Sequence, residues 1–209
     1  MHNNGLWKKL VIALLVVLWL FSFAAKIAKD DTLPEAAPRN LGTPIITNTY
    51  SPLEGSSIDQ IVETDHYVYI LFGEHDGNVQ VFNKNGEHMY SAYFYTHLNG
   101  AFSIAADEDI LYVRDERHNV YALQEGKLLY FAQQGSEASD INGLRFDTTS
   151  SSYFAWMGSV WHVANGEKTC FLQRPISSAL YQDNFLFIAT LLLVLIIGII
   201  RLYYRNKKY

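Results

Sequence analysis

Residues 78–90, NVQVFNKNGEHMY, contain the pattern that decides the fold. A segment of alternating side chains leads into an Asn-Gly turn and then into a second apolar segment, which is typical of a β-hairpin. The same pattern returns in residues 119–130, NVYALQEGKLLY, and in residues 159–172, SVWHVANGEKTCFL. The turn glycines of the three copies are 40 residues apart: Gly86, Gly126 and Gly166. The central part of the chain is therefore predicted to be a repeated antiparallel unit.

Two further strands are predicted before each hairpin. They are Ile58–Val62 and Tyr67–Leu71 in the first repeat, Phe102–Ala105 and Ile110–Val113 in the second, and Leu144–Phe146 and Tyr153–Trp156 in the third. With the two strands of the hairpin, each repeat contains four short antiparallel strands. The fold class is therefore predicted to be mainly β, with about three four-stranded repeats.

These repeats resemble the blades of β-propellers, in particular those of the NHL, YVTN and quinoprotein-like families. The resemblance covers residues 58–174 and rests on the bulky strands YVYI and ILYV, the segments GNVQVF and HNVYAL, and the turns NKNGE and QEGK. It implies a propeller-like fold. Closed propellers usually contain 4–8 blades, so three repeats leave edges and faces uncovered. The expected solutions are a self-contained stack, a compact barrel or sandwich, or a ring that another chain completes.

Two apolar runs bracket the repeats, LVIALLVVLWLFSFAA at residues 10–25 and FLFIATLLLVLIIGII at residues 185–200. Each is close to the length that a helix needs to cross a hydrocarbon core, and tyrosines of the interfacial type extend the second run to residue 204. Two transmembrane α-helices are therefore predicted, at 10–25 and 185–204. The alternative for the first is a cleaved signal peptide, because a basic segment precedes it and residues 22–24 resemble a cleavage site.

Charge predicts the orientation in the membrane. Basic residues follow the second run, which places the C-terminus and, with two spans, the N-terminus in the cytoplasm. Residues 30–183 contain all 21 acidic residues but 8 of the 16 basic ones, a net charge of −13 that argues against nucleic acid as a partner. A single cysteine and no N-glycosylation sequon favour a bacterial plasma membrane.

The predicted domain organisation follows from these segments. Residues 1–9 are the cytoplasmic N-terminus, 26–57 a linker with four of the five prolines, 58–174 the extracytoplasmic β domain, 175–184 a second linker, and 205–209 a basic cytoplasmic tail. The first linker is expected to be an extended stalk or a strap across the domain, with Ile45, Ile46 and Tyr50 available to dock onto it.

Catalytic, metal-binding and cofactor-binding residues are not predicted. The chain lacks a P-loop, a G-x-G-x-x-G segment, an H-E-x-x-H segment and a G-x-S-x-G elbow. Cys170 is predicted to be a buried, small apolar residue of a strand. His162 is interpreted either as a core histidine or as a polar group in a groove.

Aromatic side chains are the best candidates for a partner surface, because some members of an aromatic strand must face outward. The candidates are Tyr93, Tyr95, Trp156 and Trp161. The first functional hypothesis is a non-enzymatic scaffold subunit of a bacterial envelope complex, in contact with the lipid bilayer and with a membrane or envelope protein or a second copy. The second is a sensor ectodomain that binds a small ligand or glycan and signals through the transmembrane helices. An enzyme that acts on wall or glycan substrates is the third.

Overall fold

The structure is a computed structural model that describes residues 41–51, 53, 56–73, 77–94, 101–133 and 143–175, with the single helical positions 14, 17, 194, 197 and 198. The predicted transmembrane segments, apart from those single positions, lie outside the described residues, as do both predicted cytoplasmic ends. Within the described part of the chain, no helix is long and apolar enough to cross a membrane.

Antiparallel β-strands make up the central domain, as the sequence predicts. The strands are β1 (Ile45–Thr47), β2 (Ile58–Glu63), β3 (Tyr67–Phe72), β4 (Asn78–Asn83), β5 (His88–Tyr93), β6 (Ser103–Asp107), β7 (Ile110–Arg114), β8 (Val120–Gln124), β9 (Lys127–Ala132), β10 (Tyr153–Trp156), β11 (Ser159–Ala164) and β12 (Glu167–Leu172). They form a first sheet in the order β1-β5-β4-β3-β2, a second in the order β6-β7-β8-β9 and a third in the order β10-β11-β12. Each sheet is open, so the described domain is not a barrel.

The third repeat departs from the prediction. Residues 144–146 form no strand, and the third sheet therefore has three strands instead of four. A side chain takes the place of a neighbouring strand here, because the carbonyl of Phe146 accepts its hydrogen bond from the side chain of Gln60 at 3.1 Å. Leu144 and Phe146 pack instead against the second sheet, on the face formed by Ala105, Tyr112, Val120 and Ala122.

The proline-rich linker contributes an additional strand to the first sheet. β1 pairs antiparallel with β5, with Ile45 opposite Tyr93 and Thr47 opposite Ser91. Ile46 also packs against the core between the first and second sheets. The expected docking of this segment is therefore confirmed, and the linker is a strap across the domain at these residues.

The first sheet lies between the other two. One of its faces packs against the second sheet. The buried side chains at this interface are Tyr69, Leu71, Val81 and Tyr90 of the first sheet and Leu111, Val113, Tyr121 and Leu123 of the second. Its opposite face packs against the third sheet, through Val68, Ile70, Phe72, Phe82, Tyr153, Val160 and Leu172. Because side chains alternate along each strand, one sheet supplies both layers of the core.

A buried arginine ties the linker to the third sheet. The guanidinium of Arg174 donates hydrogen bonds to the carbonyls of Leu53, Ser56 at 2.9 Å and Gly158 at 3.2 Å. It also lies over the ring of Phe72, 5.0 Å from the centroid. Arg174 is 4% exposed, and these carbonyls compensate for the burial of its charge.

Candidate interaction surface

The three hairpins allow equivalent faces of the sheets to be compared. When the segments NVQVF, NVYAL and SVWHV are aligned, Phe82 in the first sheet, Leu123 in the second and Val163 in the third are at equivalent positions. Phe82 faces the third sheet and Leu123 faces the first, so both are fully buried. Val163 is half-buried and belongs to none of the core clusters of the described residues.

We define the outer face of the third sheet as the side chains of Phe154, Trp156, Trp161, Val163 and Cys170. The strand register places Phe154 beside Trp161 and Trp161 beside Cys170, while Trp156 and Val163 follow two residues further along their strands. Trp156 is 53% exposed, Cys170 is exposed, and the other three are half-buried. Trp156 has the largest exposed fraction of any aromatic side chain in the described part of the chain.

The opposite face of the third sheet is covered. Tyr153 and His162 are paired across β10 and β11, and their rings stack at a centroid distance of 4.4 Å with an interplanar angle of 21°. Phe171 contacts the ring of Tyr153 edge-on at 4.9 Å. A register shift next to Trp161 lets both Phe171 and Leu172 contact the core. His162 is half-buried on this face and belongs to none of the core clusters of the described residues.

The turn glycines show the same asymmetry between the sheets. A Cβ atom at Gly126 would lie 3.4 Å from Cγ of Tyr90 in the first sheet, and one at Gly86 would lie 3.2 Å from the carbonyl oxygen of Phe171 in the third. A Cβ at Gly166 would have nothing within 4 Å. The Gly126 turn of the second sheet therefore packs against the first sheet, and the Gly86 turn of the first sheet packs against the third. The Gly166 turn of the third sheet has no such neighbour among the described residues.

The predicted surface residues divide into three groups. Trp156 and Trp161 lie together on the outer face of the third sheet. Tyr93 is 4% exposed and lies in the core next to β1, so it is not part of an exposed surface. Tyr95 lies outside the described residues.

Two features of the outer face were missed or misread in the sequence. Cys170 is exposed on β12 and not buried as predicted, because β12 is the edge strand and Cys170 points to the outer face. Val163 is not among the predicted surface residues, although its alignment with Phe82 and Leu123 marks an apolar position without a covering sheet. The indole N–H of Trp161 is buried and has no hydrogen-bond partner among the described residues.

The charges around this face are few. Lys168 shares the face, and its Nζ lies 5.5 Å from the centroid of the Phe154 ring. Glu167 is exposed on the same edge strand, but alternation places it on the opposite face of the sheet. An apolar centre with a single cation beside it suits a protein partner better than a phosphate or nucleic acid ligand.

A separate polar cluster joins the first sheet to the segment before the third. Lys84 Nζ donates to Glu63 Oε2 at 2.8 Å, and the hydroxyl of Ser150 donates to the other carboxylate oxygen. Partial burial raises the pKa of Glu63, but the hydrogen bonds from Lys84 and Ser150 outweigh this and hold the pKa below its ordinary value. Within residues 41–175, as far as they are described, no three His, Cys, Asp or Glu side chains are placed to hold a metal ion.

Comparison of the chain with known protein families, curated proteins and solved structures finds no match.

Proposed function

We propose that the chain is a non-enzymatic, membrane-anchored scaffold subunit of a bacterial envelope complex, and that it holds a partner protein at the outer face of its third sheet. One observation carries this proposal. The faces of the first and second sheets that correspond to this one are each covered by a neighbouring sheet, whereas Phe154, Trp161 and Val163 are half-buried and belong to none of the core clusters of the described residues. An aromatic surface of this kind is typical of a protein interface.

The partner is expected to present another β-sheet. In the two sheet interfaces of the domain, the covering sheet supplies aliphatic side chains and an aromatic residue in its last strand, Tyr90 in one case and Phe171 in the other. A further sheet in the same position would cover Val163 and close over the Gly166 turn. The resemblance of the repeats to propeller blades supports this arrangement.

A second copy of the chain is a less suitable occupant. By the same alignment, the face that would receive the third sheet is the outer face of the second sheet, formed by Ala105, Tyr112, Val120 and Ala122. These four side chains are at most 5% exposed, and Leu144 and Phe146 pack against them. A second copy has no free receiving face among the described residues, and this favours a different protein as the partner.

The membrane anchoring is supported by the sequence of residues 10–25 and 185–204. Each run is apolar enough to insert, and the positive charges after residue 200 orient it. The scaffold domain would then project from the outer surface of the plasma membrane, where other envelope proteins are accessible.

Site-specific photo-crosslinking tests the proposal in native membranes. A photoreactive phenylalanine analogue in place of Val163 is expected to yield one discrete crosslinked protein that is identical to the product from position 154. The matched control position is Leu129, which is 49% exposed on the second sheet and is expected to give no such product. Equal products from positions 163 and 129, a product that contains only a second copy, or no product at all would contradict the proposal.

A further inference from the structure

The hairpin between β10 and β11 ends in an apolar turn. Met157 and Gly158 both have positive φ, 51° and 78°, as the two-residue turns of β-hairpins require. The turns Glu125-Gly126 and Asn165-Gly166 have nearly the same backbone, with φ of 47° and 72° and of 54° and 81°, but a polar first residue. Met157 is 45% exposed and follows the exposed Trp156.

Neither the backbone nor the solvent favours methionine at this position. Positive φ favours Asn, Asp and Gly, and a bulky residue in this conformation is uncommon. Water does not favour two adjacent exposed apolar side chains. The Trp156-Met157 pair, which we call the apolar tip, therefore points to an apolar environment outside the domain.

The chain leaves the domain beside the apolar tip. The backbone N–H of Arg174 donates to the hydroxyl of Ser159 at 3.2 Å, and its guanidinium donates to the carbonyl of Gly158, which is next to Met157. The apolar run at 185–200 begins ten residues after Pro175, so the connecting segment spans at most about 35 Å when fully extended.

The chain also enters the domain at this end of the sheets. β1 begins with Ile45 opposite Tyr93, and Tyr93 is opposite Asn78 directly after the turn between β3 and β4. Just before β1, the N–H of Gly42 donates to the hydroxyl of Tyr121, at the same end of the second sheet. Both connections to the apolar runs of the sequence therefore start from the end that carries the apolar tip.

We infer that the apolar tip inserts Trp156 and Met157 into the interfacial zone of the lipid bilayer. This inference rests on the membrane anchoring in the proposed function and not on the partner protein, because it assigns Trp156, the last residue of β10, to the lipid and leaves Phe154, Trp161 and Val163 to the partner. Tryptophan is enriched where headgroups meet acyl chains, because its ring is apolar and its N–H is polar. The equivalent turn of the second sheet carries Glu116 and Arg117 instead, so the insertion is a property of the third sheet.

The charge of the domain predicts which lipids the contact needs. Residues 30–183 have a net charge of −13, and the tip itself contains no basic residue. Attraction to anionic lipid therefore contributes little, and burial of apolar surface supplies the contact. The insertion is expected in purely zwitterionic vesicles and is expected to be insensitive to salt.

A pair of fluorescent labels tests the inference on the full chain. The background is Cys170→Ser, and a single cysteine is introduced by Met157→Cys or, as the matched control, by Met89→Cys. Met89 is the same residue type, is 41% exposed, and lies at the opposite end of the first sheet. Each variant is labelled with an environment-sensitive dye and reconstituted into phosphatidylcholine vesicles that carry a quencher near the glycerol region.

The label at position 157 is expected to be quenched about twofold more strongly than the label at position 89, with a blue-shifted emission. Flotation of the vesicles separates the two ways to fail. A chain that does not float with the vesicles is not anchored, which overturns the anchoring and the inference together. A chain that floats but shows equal quenching at both positions overturns the inference alone. A difference that requires phosphatidylglycerol or low salt contradicts the apolar mode of contact.

Discussion

The side chain of Gln60 is hydrogen-bonded to both backbone groups of Ile104: Nε2 donates to the carbonyl oxygen and Oε1 accepts from the N–H, each at 2.8 Å. A residue of β2 in the first sheet thus pairs with β6 of the second as a strand would. Nε2 also donates to the carbonyls of Phe146 and Thr148, at 3.1 and 2.8 Å. One buried amide therefore joins the first sheet, the second sheet and the segment that leads to the third.

The substitution Gln60→Leu is expected to destabilise the domain by about 2–4 kcal/mol, because it leaves buried backbone groups without partners. Thermal unfolding of the full chain in mild detergent, followed by β-sheet circular dichroism, measures the effect. The matched control is Gln124→Leu at the exposed end of β8, which is expected to change the free energy of unfolding by less than about 0.5 kcal/mol. Similar shifts for the two variants would contradict the role given to Gln60.

Local patterns explain why most strands were predictable. Alternation and turn residues determine β2 to β12, and the structure confirms their positions to within two residues. The strand predicted at residues 144–146 is wrong because a long-range partner, Gln60, accounts for the carbonyl of Phe146. The spatial order, with the first sheet in the middle, depends on such long-range contacts, and no local pattern encodes them.

The candidate surface was predictable in part. The pattern identified Trp156 and Trp161 as aromatic residues of one strand pair, and alternation places them on one face. It did not distinguish Tyr93, which is buried because β1 arrives from the linker and lies beside it. Burial of Tyr93 therefore depends on a segment 48 residues away in sequence, and Cys170 was misread because its edge position depends on the sheet order.

Arg174 gives a second prediction on stability. The substitution Arg174→Met keeps much of the side-chain volume but removes the donors to Leu53, Ser56 and Gly158, and is expected to cost about 2–4 kcal/mol. Thermal unfolding measures this loss, and the exposed Arg117→Met is the control. Arg174→Lys is expected to recover less than half, because one ammonium group does not reproduce the planar set of donors. Full recovery by lysine would show that charge alone suffices.

Glu63 predicts how stability depends on pH. Its pKa in the folded state lies below the ordinary value of 4.5, because the hydrogen bonds of Lys84 and Ser150 outweigh the effect of burial. The carboxylate therefore stabilises the fold above the unfolded-state pKa, and this contribution is lost as the pH falls through the folded-state pKa. Thermal unfolding of Glu63→Gln at pH 7 and pH 3 is expected to show a smaller loss in acid than that of the unchanged chain. Lys84→Met is expected to act in the same direction, and an unchanged acid loss in both variants would contradict the assignment.

Alanine substitutions at Gly42 and Gly166 test how closely the strap packs against the second sheet. Their φ angles are 83° and 81°, so alanine at either position meets the same backbone penalty of about 1–2 kcal/mol. At Gly42, however, the new Cβ would lie 2.9 Å from the ring of Phe131, while at Gly166 it would meet nothing within 4 Å. Thermal unfolding is expected to show a larger loss for Gly42→Ala than for Gly166→Ala. Equal losses would mean that the strap does not press on β9 as the structure describes.

The apolar tip predicts a conflict between stability and membrane contact. Asparagine suits the backbone of the turn, so Met157→Asn is expected to stabilise the domain by about 0.5–1 kcal/mol. The reciprocal change, Asn165→Met, places methionine in the equivalent turn at nearly the same φ and is expected to destabilise by a similar amount. Thermal unfolding in detergent measures both changes, and flotation with phosphatidylcholine vesicles confirms that both variants remain anchored.

The same two substitutions distinguish contact of Met157 with lipid from packing of Met157 onto the domain. If methionine is present at position 157 for contact with lipid, Met157→Asn gains stability and loses the lipid quenching of Trp156, whereas Asn165→Met loses stability and leaves that quenching unchanged. Trp7→Phe, Trp19→Phe and Trp161→Phe in the background leave Trp156 as the only tryptophan of the chain, so that the signal is its own. A Met157→Asn variant that is less stable than the unchanged chain would instead show that Met157 packs onto the domain itself, and its exposure would then need no lipid.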